Sequence, residues 1–228
     1  MIGIIGAMQV EIDKIKSTVE NPTTETVSGI EFVSGKIHGH DAVVAVCGIG
    51  KVFAAVCAQT MILKYNPDVI INVGVAGTLT DKLSIADIAV ASDVVQHDMD
   101  TSPLGDPVGL VSGINVIKFP ADIKTVEKIE KSIDNLGINR TRGTIASGDQ
   151  FMSDKDKKQT IVDNFGAIAC EMEGASIGHV CYINGVNFAV IRSISDSADD
   201  SAFMDYPEFV KKAAENSSAV IDGYFKLL

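Results

Sequence analysis

A layered α/β fold is the architecture this sequence predicts, on three observations. Short apolar runs alternate with stretches of helical periodicity along all 228 residues, which is the pattern of a sheet covered by helices. No repeat, low-complexity stretch or linker interrupts them, and the length suits one α/β domain, so residues 1–228 are expected to form a single unit. Buried runs are followed by short loops of small or acidic residues, and α/β sheets bind ligands beyond the carboxyl ends of their strands.

Residues 1–5 read as a strand leading through Gly6-Ala7-Met8 into a helix from near Gln9, with Glu11 in its first turn. Residues 42–46 form a strand before Gly48-Ile49-Gly50 and a helix from near Lys51. The stretch 54–63 of that helix is apolar on most faces and is expected to be buried. A strand at 69–73 leads to Gly74-Val75-Ala76-Gly77, and one at 88–91 follows. Strands at 143–146, 167–169 and 188–191 lead to SGDQFM (147–152), CEMEG (170–174) and SISDSAD (193–199). Further helices start near Ile123, Asp154, Gly174 and Pro207. Six of these loops are expected to converge on one pocket.

Composition narrows the function. A net charge of −11 and a pI near 4.7, with no Lys/Arg cluster, exclude a nucleic-acid groove. No apolar run reaches the ~18 residues of a membrane helix. MIGIIGAMQVEID lacks a basic leader and reads as a buried strand instead of a signal peptide. Cys47, Cys57, Cys170 and Cys181 lie in apolar stretches without metal-type spacing, which predicts buried free thiols and a reducing, cytoplasmic compartment. Only three arginines occur, Arg140, Arg142 and Arg192, so an anion clamp has few bidentate donors to draw on.

Gly48-Ile49-Gly50-Lys51 is not a phosphate loop. Ala45 stands where the first glycine belongs, and Val52 replaces the magnesium-binding hydroxyl. His97-Asp98-Met99-Asp100 is too tightly spaced for one tetrahedral metal shell and reads as a loop held by its own polar contacts. The remaining polar residues follow buried strands. Glu11 suits the helix dipole. Glu171 and Glu173 need partners or a ligand, and only one of the two is expected to face a pocket. Asp196 ends an apolar strand, where capping a helix is the simplest role. Arg192, inside that strand, should pair with a carboxylate.

The set GIIGAM-x-x-E (3–11), SGDQF (147–151), EME (171–173) and RSISD (192–196), with GIGKV (48–52), resembles the bacterial 5′-methylthioadenosine/S-adenosylhomocysteine nucleosidases of the purine and uridine phosphorylase superfamily. The similarity runs from Gly3 to the C-terminal helix. It implies a three-layer α/β/α fold on a central twisted mixed sheet. It also implies cofactor-free, metal-free hydrolysis of an adenine nucleoside.

The roles it implies are specific. Asp196 would protonate adenine N7, oriented by Ser195, with its pKa raised by burial. Glu173 would bind the ribose hydroxyls, and Glu11 would act on the attacking water, near Arg192 and the segment Val75, Ala76, Gly77. Met172 would pack on the ribose, Phe151 would stack on adenine, and the backbone of Met152 would read the base edge. Met8, Ile49 and Tyr206 would line the alkylthio pocket, completed by Thr101, Leu104 and Ser112 of the partner subunit in a homodimer. An acid on one face and a carboxylate-activated water on the other is the logic of inverting glycoside hydrolysis. Val75, where the family carries Ser, Tyr206, where many carry Phe, and the distinct loop 98–113 bear on substrate preference. A phosphorylase, a futalosine or aminofutalosine hydrolase and a non-catalytic nucleoside binder are the competing readings. Paired acid and base argue against the binder.

Overall fold

The computed structural model describes residues 1–196 and 202–228, with side chains given up to Asp196 and again from residue 209. The elements run β1 (Ile2–Gly6), α1 (Gln9–Lys16), β2 (Glu20–Val27), β3 (Ile30–Ile37), β4 (His40–Val46), α2 (Lys51–Tyr65), β5 (Val69–Thr78) and β6 (Ile88–Gln96). After a short 3-10 turn at Ser102–Leu104 come β7 (Lys118–Pro120), α3 (Ile123–Asn135), β8 (Arg140–Ser147), α4 (Lys155–Phe165), β9 (Ala167–Glu171), α5 (Gly174–Asn184), β10 (Asn187–Asp196) and α6 (Ala202–Lys226).

Among the described residues the strands make one mixed ten-stranded sheet ordered β10-β6-β8-β9-β5-β1-β4-β3-β2, with β7 beside β6. Because β10 also pairs with β5, the strands β5, β10, β6, β8 and β9 close into a ring, so the sheet is not the open one an alternating pattern suggests. Successive residues serve opposite faces. Ile5 and Ile70 pack with α2 and α5 residues such as Cys57, Met61 and Cys181, whereas Ile4 and Ile71 pack with Ile12, Ile129 and Phe225 of α1, α3 and α6. Covered on both faces, the central strands can be apolar throughout, and the layers are those expected.

Three expectations need correction. Gly74–Gly77 and Ser193–Asp196 are strand, not loop, because β5 and β10 go on pairing with each other to Gly77 and Asp196. Segment 197–199 of the expected last loop lies outside the described residues, and α6 begins at Ala202, before Pro207. The α2 helix is buried along Ala54, Cys57, Ala58, Met61 and Ile62 only. Its other face leaves Val52 (75%), Phe53 (55%) and Leu63 (76%) exposed.

Candidate active site

The carboxyl ends of β1, β5, β8, β9 and β10 surround a cavity of about 300 Å³, within the size range of small-ligand sites. Local sequence builds its polar floor. The N-cap of α1 is Met8, which places Glu11 at the third helical position. Glu11 Oε2 accepts the N–H groups of Ala7 and Met8 (2.9 Å each), and Oε1 accepts that of Val75 in β5 (3.1 Å). The helix start alone therefore does not account for this acid, which is 2% exposed and spans to the next strand. A Cβ on Gly74 would lie 2.8 Å from Glu11 Oε1, so β5 passes this close only as glycine. Burial raises the Glu11 carboxyl above its ordinary value, against the pull of Arg192 and of the three N–H groups.

At the end of β9 the two glutamates divide by engagement rather than by direction. The expectation that only one faces a pocket is corrected: both border the cavity, since residues two apart lie on the same side of a strand and β9 ends only at Glu171. Glu171 is consumed by the protein: it accepts the N–H of Glu173 (3.0 Å) and of Gly174 (2.8 Å), the Ser147 hydroxyl and the Arg192 guanidinium. Glu173 accepts the N–H of Gly50 (2.8 Å) through Oε1. Burial, then the neighbouring Glu171 charge, push Glu173 up to about 7, while Arg192 and the Gly50 N–H pull the other way.

Arg192 pairs with a carboxylate, as its position required. The side chain is 1% exposed and does not border the cavity, however. Its Nη2 is taken by Glu171 and by Asn72 Oδ1, with Glu173 Oε2 at 3.9 Å, so the guanidinium braces the floor from behind. Nε, also buried, has no protein partner. Beyond it β10 is bulged between Ile194 and Asp196. The bulge brings both Ser195 and Asp196 to the cavity wall, as such irregularities re-aim side chains beside active sites. Asp196 is 3% exposed, and Ser195 Oγ donates to its Oδ2 (2.9 Å).

Met8, Ile49, Val75, Ala76, Gly77, Phe151, Met152 and Met172 border the same cavity, as expected from the sequence. Glu171, weighed beside Glu173 from the sequence, also borders it, and Ala7, Gln150 and Cys170 join them without having been assigned to the site, although they lie within the Gly6-Ala7-Met8, SGDQFM and CEMEG segments expected to converge. Thr101, Leu104 and Ser112 do not reach it within one chain: Leu104 is 85% exposed, and the two hydroxyls bind Asp106. The Tyr206 side chain lies outside those described. The His97–Asp100 loop is held less by itself than expected, since Asp98 bonds Lys51 and the N–H of Asp149. All four cysteines are free and buried. Among the described residues no cluster is placed to hold a metal ion, and no helix is long and apolar enough to cross a membrane.

The raised Glu173 carboxyl has a thermodynamic signature. The native state holds its proton from its unfolded value near 4.5 up to about 7, so its contribution to stability is present below 4.5 and is lost as pH rises toward 7. His97 and His179, held below their ordinary values chiefly by burial, act in the opposite sense in part of this window. The comparison with Glu173→Gln isolates the glutamate. The ligand-free wild type should lose on the order of 1–3 kcal/mol relative to that variant between pH 5 and 8. Parallel denaturation midpoints across that range would show that Glu173 is ionised throughout.

Buried carboxylates on an apolar cavity at the strand ends of an α/β/α sheet are the parts of an enzyme that moves protons at a small-molecule ligand, and the chain belongs to the phosphorylase superfamily, whose family model matches residues 1–226. Within it, the chain is 41% identical over 229 residues to the 5′-methylthioadenosine/S-adenosylhomocysteine nucleosidase of Shewanella halifaxensis, covering 100% of this chain and 99% of that protein. The nucleosidase of Neisseria meningitidis, solved with methylthio-immucillin-A, superposes with a TM-score of 0.96 at 32% identity, covering 100% and 99% of the two chains. A futalosine hydrolase of Helicobacter pylori gives 0.95 at 35% identity, covering 100% and 97%.

Proposed function

We propose that this protein hydrolyses the N-glycosidic bond of 5′-methylthioadenosine and S-adenosylhomocysteine, releasing adenine and the 5-alkylthioribose. The observation that carries the reading is the placement of Glu11, Glu173 and Asp196 on one cavity with no arginine facing it. Asp196, oriented by Ser195, gives its proton to N7 of the adenine. The C1′–N9 bond breaks and its electron pair enters the purine. Glu173 binds the ribose hydroxyls and favours the positive charge that develops on the sugar. A water oxygen bonds to C1′ and gives its proton to Glu11, with Arg192 Nε the buried donor behind that floor. Phe151 stacks on the base, the Met152 backbone reads its edge, Met172 packs on the ribose, and Met8 and Ile49 surround the 5′-substituent.

Water, not phosphate, is the nucleophile. Arg140 and Arg142 bond Glu130 and, for Arg140, Asp134 of α3 at the amino end of β8, roughly 16 Å (Arg142) to 23 Å (Arg140) of strand from Ser147 at the cavity end. Arg192 is engaged by Glu171. Phosphate would meet the Glu11 carboxylate instead, and a like-charge pair at ~4 Å costs on the order of 4 kcal/mol at an effective dielectric near 20. Adenine release should proceed in phosphate-free buffer and gain nothing from added phosphate. A ribose 1-phosphate product would make the protein a phosphorylase, and faster cleavage of futalosine or aminofutalosine in the same panel would move the substrate assignment.

The active form is a homodimer through the exposed face of α2 and the segment 98–113. An apolar face holding Val52, Phe53, Val56 and Leu63, with Leu104 elsewhere on the surface, fits a self-complementary interface. It brings Thr101, Leu104 and Ser112 of the partner subunit to the alkylthio end. Sedimentation at assay concentration should give a dimer; an active monomer refutes this.

A further inference from the structure

Just outside the cavity and not among its lining residues, three side chains bind one another and the neighbouring backbone in a closed ring. Lys51 Nζ pairs with Asp98 Oδ1 (2.6 Å), Asp98 Oδ2 accepts the backbone N–H of Asp149 (3.0 Å), and Asp149 Oδ1 accepts the backbone N–H of Lys51 (2.8 Å). The ring joins the start of α2, the segment after β6 and the segment after β8. Two of these stretches lead directly to cavity groups. Gly50, one residue before Lys51, donates its N–H to Glu173. Asp149 stands just before Gln150, Phe151 and Met152, which border the cavity.

The fit around the ring is close. A Cβ on Gly50 would lie 3.1 Å from Asp149 Oδ1, at a φ of +99° that disfavours any side chain. A Cβ on Gly148 would lie 2.3 Å from His97 Nε2, so the backbone before Asp149 rests on the imidazole before Asp98. The Lys51 and Asp98 side chains are 19% and 22% exposed, and as an isolated ion pair they would contribute little. Their effect is geometric: helix N-terminal N–H groups lack intrahelical partners, and here one is fixed by Glu173 and the next by Asp149.

We propose that Lys51, Asp98 and Asp149 are positioning residues that hold the Glu173 carboxylate and the Phe151 loop at a fixed separation, so that ribose and base are gripped in register. The inference rests on the nucleosidase reading, in which Glu173 holds the sugar and Phe151 the base. Misplacement by about 1 Å away from the reacting atoms can cost ~10² in rate.

The test compares Asp149→Ala, Asp149→Asn, Asp98→Ala, Lys51→Met and the Lys51/Asp98 double variant by kcat, KM and thermal midpoint with 5′-methylthioadenosine. Asp149→Ala should lower kcat/KM by ~10- to 100-fold with a midpoint near wild type. Asp149→Asn, whose amide oxygen still accepts the Lys51 N–H, should recover most of that loss. The Lys51 and Asp98 losses should be less than additive in the double variant. Equal impairment of the Asn and Ala variants, losses that follow the thermal midpoint, or unchanged kcat/KM would overturn the proposal. Amide exchange at Gly50, Lys51 and Phe151 should quicken in Asp98→Ala, and unchanged exchange overturns the clamp whatever the enzyme cleaves. Failure of the wild type to release adenine counts against the nucleosidase reading alone.

Discussion

Replacing Asp196 by Asn is expected to lower adenine release by at least ~10²-fold, the scale of general acid catalysis. The substitution keeps the size of the side chain and an oxygen for the Ser195 hydroxyl, which donates to Asp196 Oδ2 at 2.9 Å. It removes the one thing an amide cannot supply, a carboxylic proton for N7. Adenine is a poor leaving group as an anion and a good one when protonated, so the loss should fall on bond cleavage and leave nucleoside binding nearly intact. The bulge that turns Asp196 to the wall is a backbone feature and should persist in the variant. Turnover near wild type would remove Asp196 from the mechanism. A rise in KM with kcat unchanged would recast it as a binding group for the base.

Most of this site was legible because its chemistry interrupts apolar strands. Carboxylates at 11, 173 and 196 each follow a buried run, where they need a partner or a ligand, and all three reach one cavity. What was not legible depends on pairing at a distance. Gly74-Val75-Ala76-Gly77 reads as a loop because Gly and Ala are weak strand formers. It is strand because β10 runs alongside it as far as Asp196. The edge strand β2, with the sequence ENPTTETV and nearly every residue exposed, offers no hydrophobic alternation to read. Glu171 was half visible: Arg192 demanded a carboxylate, but sequence could not say which, and only the geometry separates the acid spent on Arg192 from the one held by Gly50. The α2 helix misled in an instructive way. Its apolar stretch predicted burial, and the chain buries only one face of it, because α2 packs on the sheet and α5 along Ala54, Cys57, Ala58, Met61 and Ile62 while Val52, Phe53 and Leu63 point away.

Glu11→Gln should lower hydrolysis by ~10²- to 10⁴-fold while leaving substrate affinity largely unchanged. Glu11 is held by three backbone N–H groups, from Ala7, Met8 and Val75, across both carboxylate oxygens. These donors fix the position of the acid, and they also oppose its protonation, as does Arg192. Burial works the other way and raises the carboxyl above its ordinary value, which makes the group a better base than an exposed glutamate when it is ionised. Activity should therefore fall as pH drops through the raised Glu11 value, and this acidic limb should vanish from the residual activity of the Gln variant. Glutamine also presents an NH₂ group to N–H donors that need acceptors, so one of these bonds is lost; the variant's thermal midpoint must be measured beside its rate. Gly74→Ala provides the geometric control. It keeps the carboxylate but places a methyl group 2.8 Å from Glu11 Oε1, so activity should fall although no ionisable group has changed. If Glu11→Gln released adenine at the wild-type rate, water would be activated by another group, and Glu173 would be the next candidate on this floor.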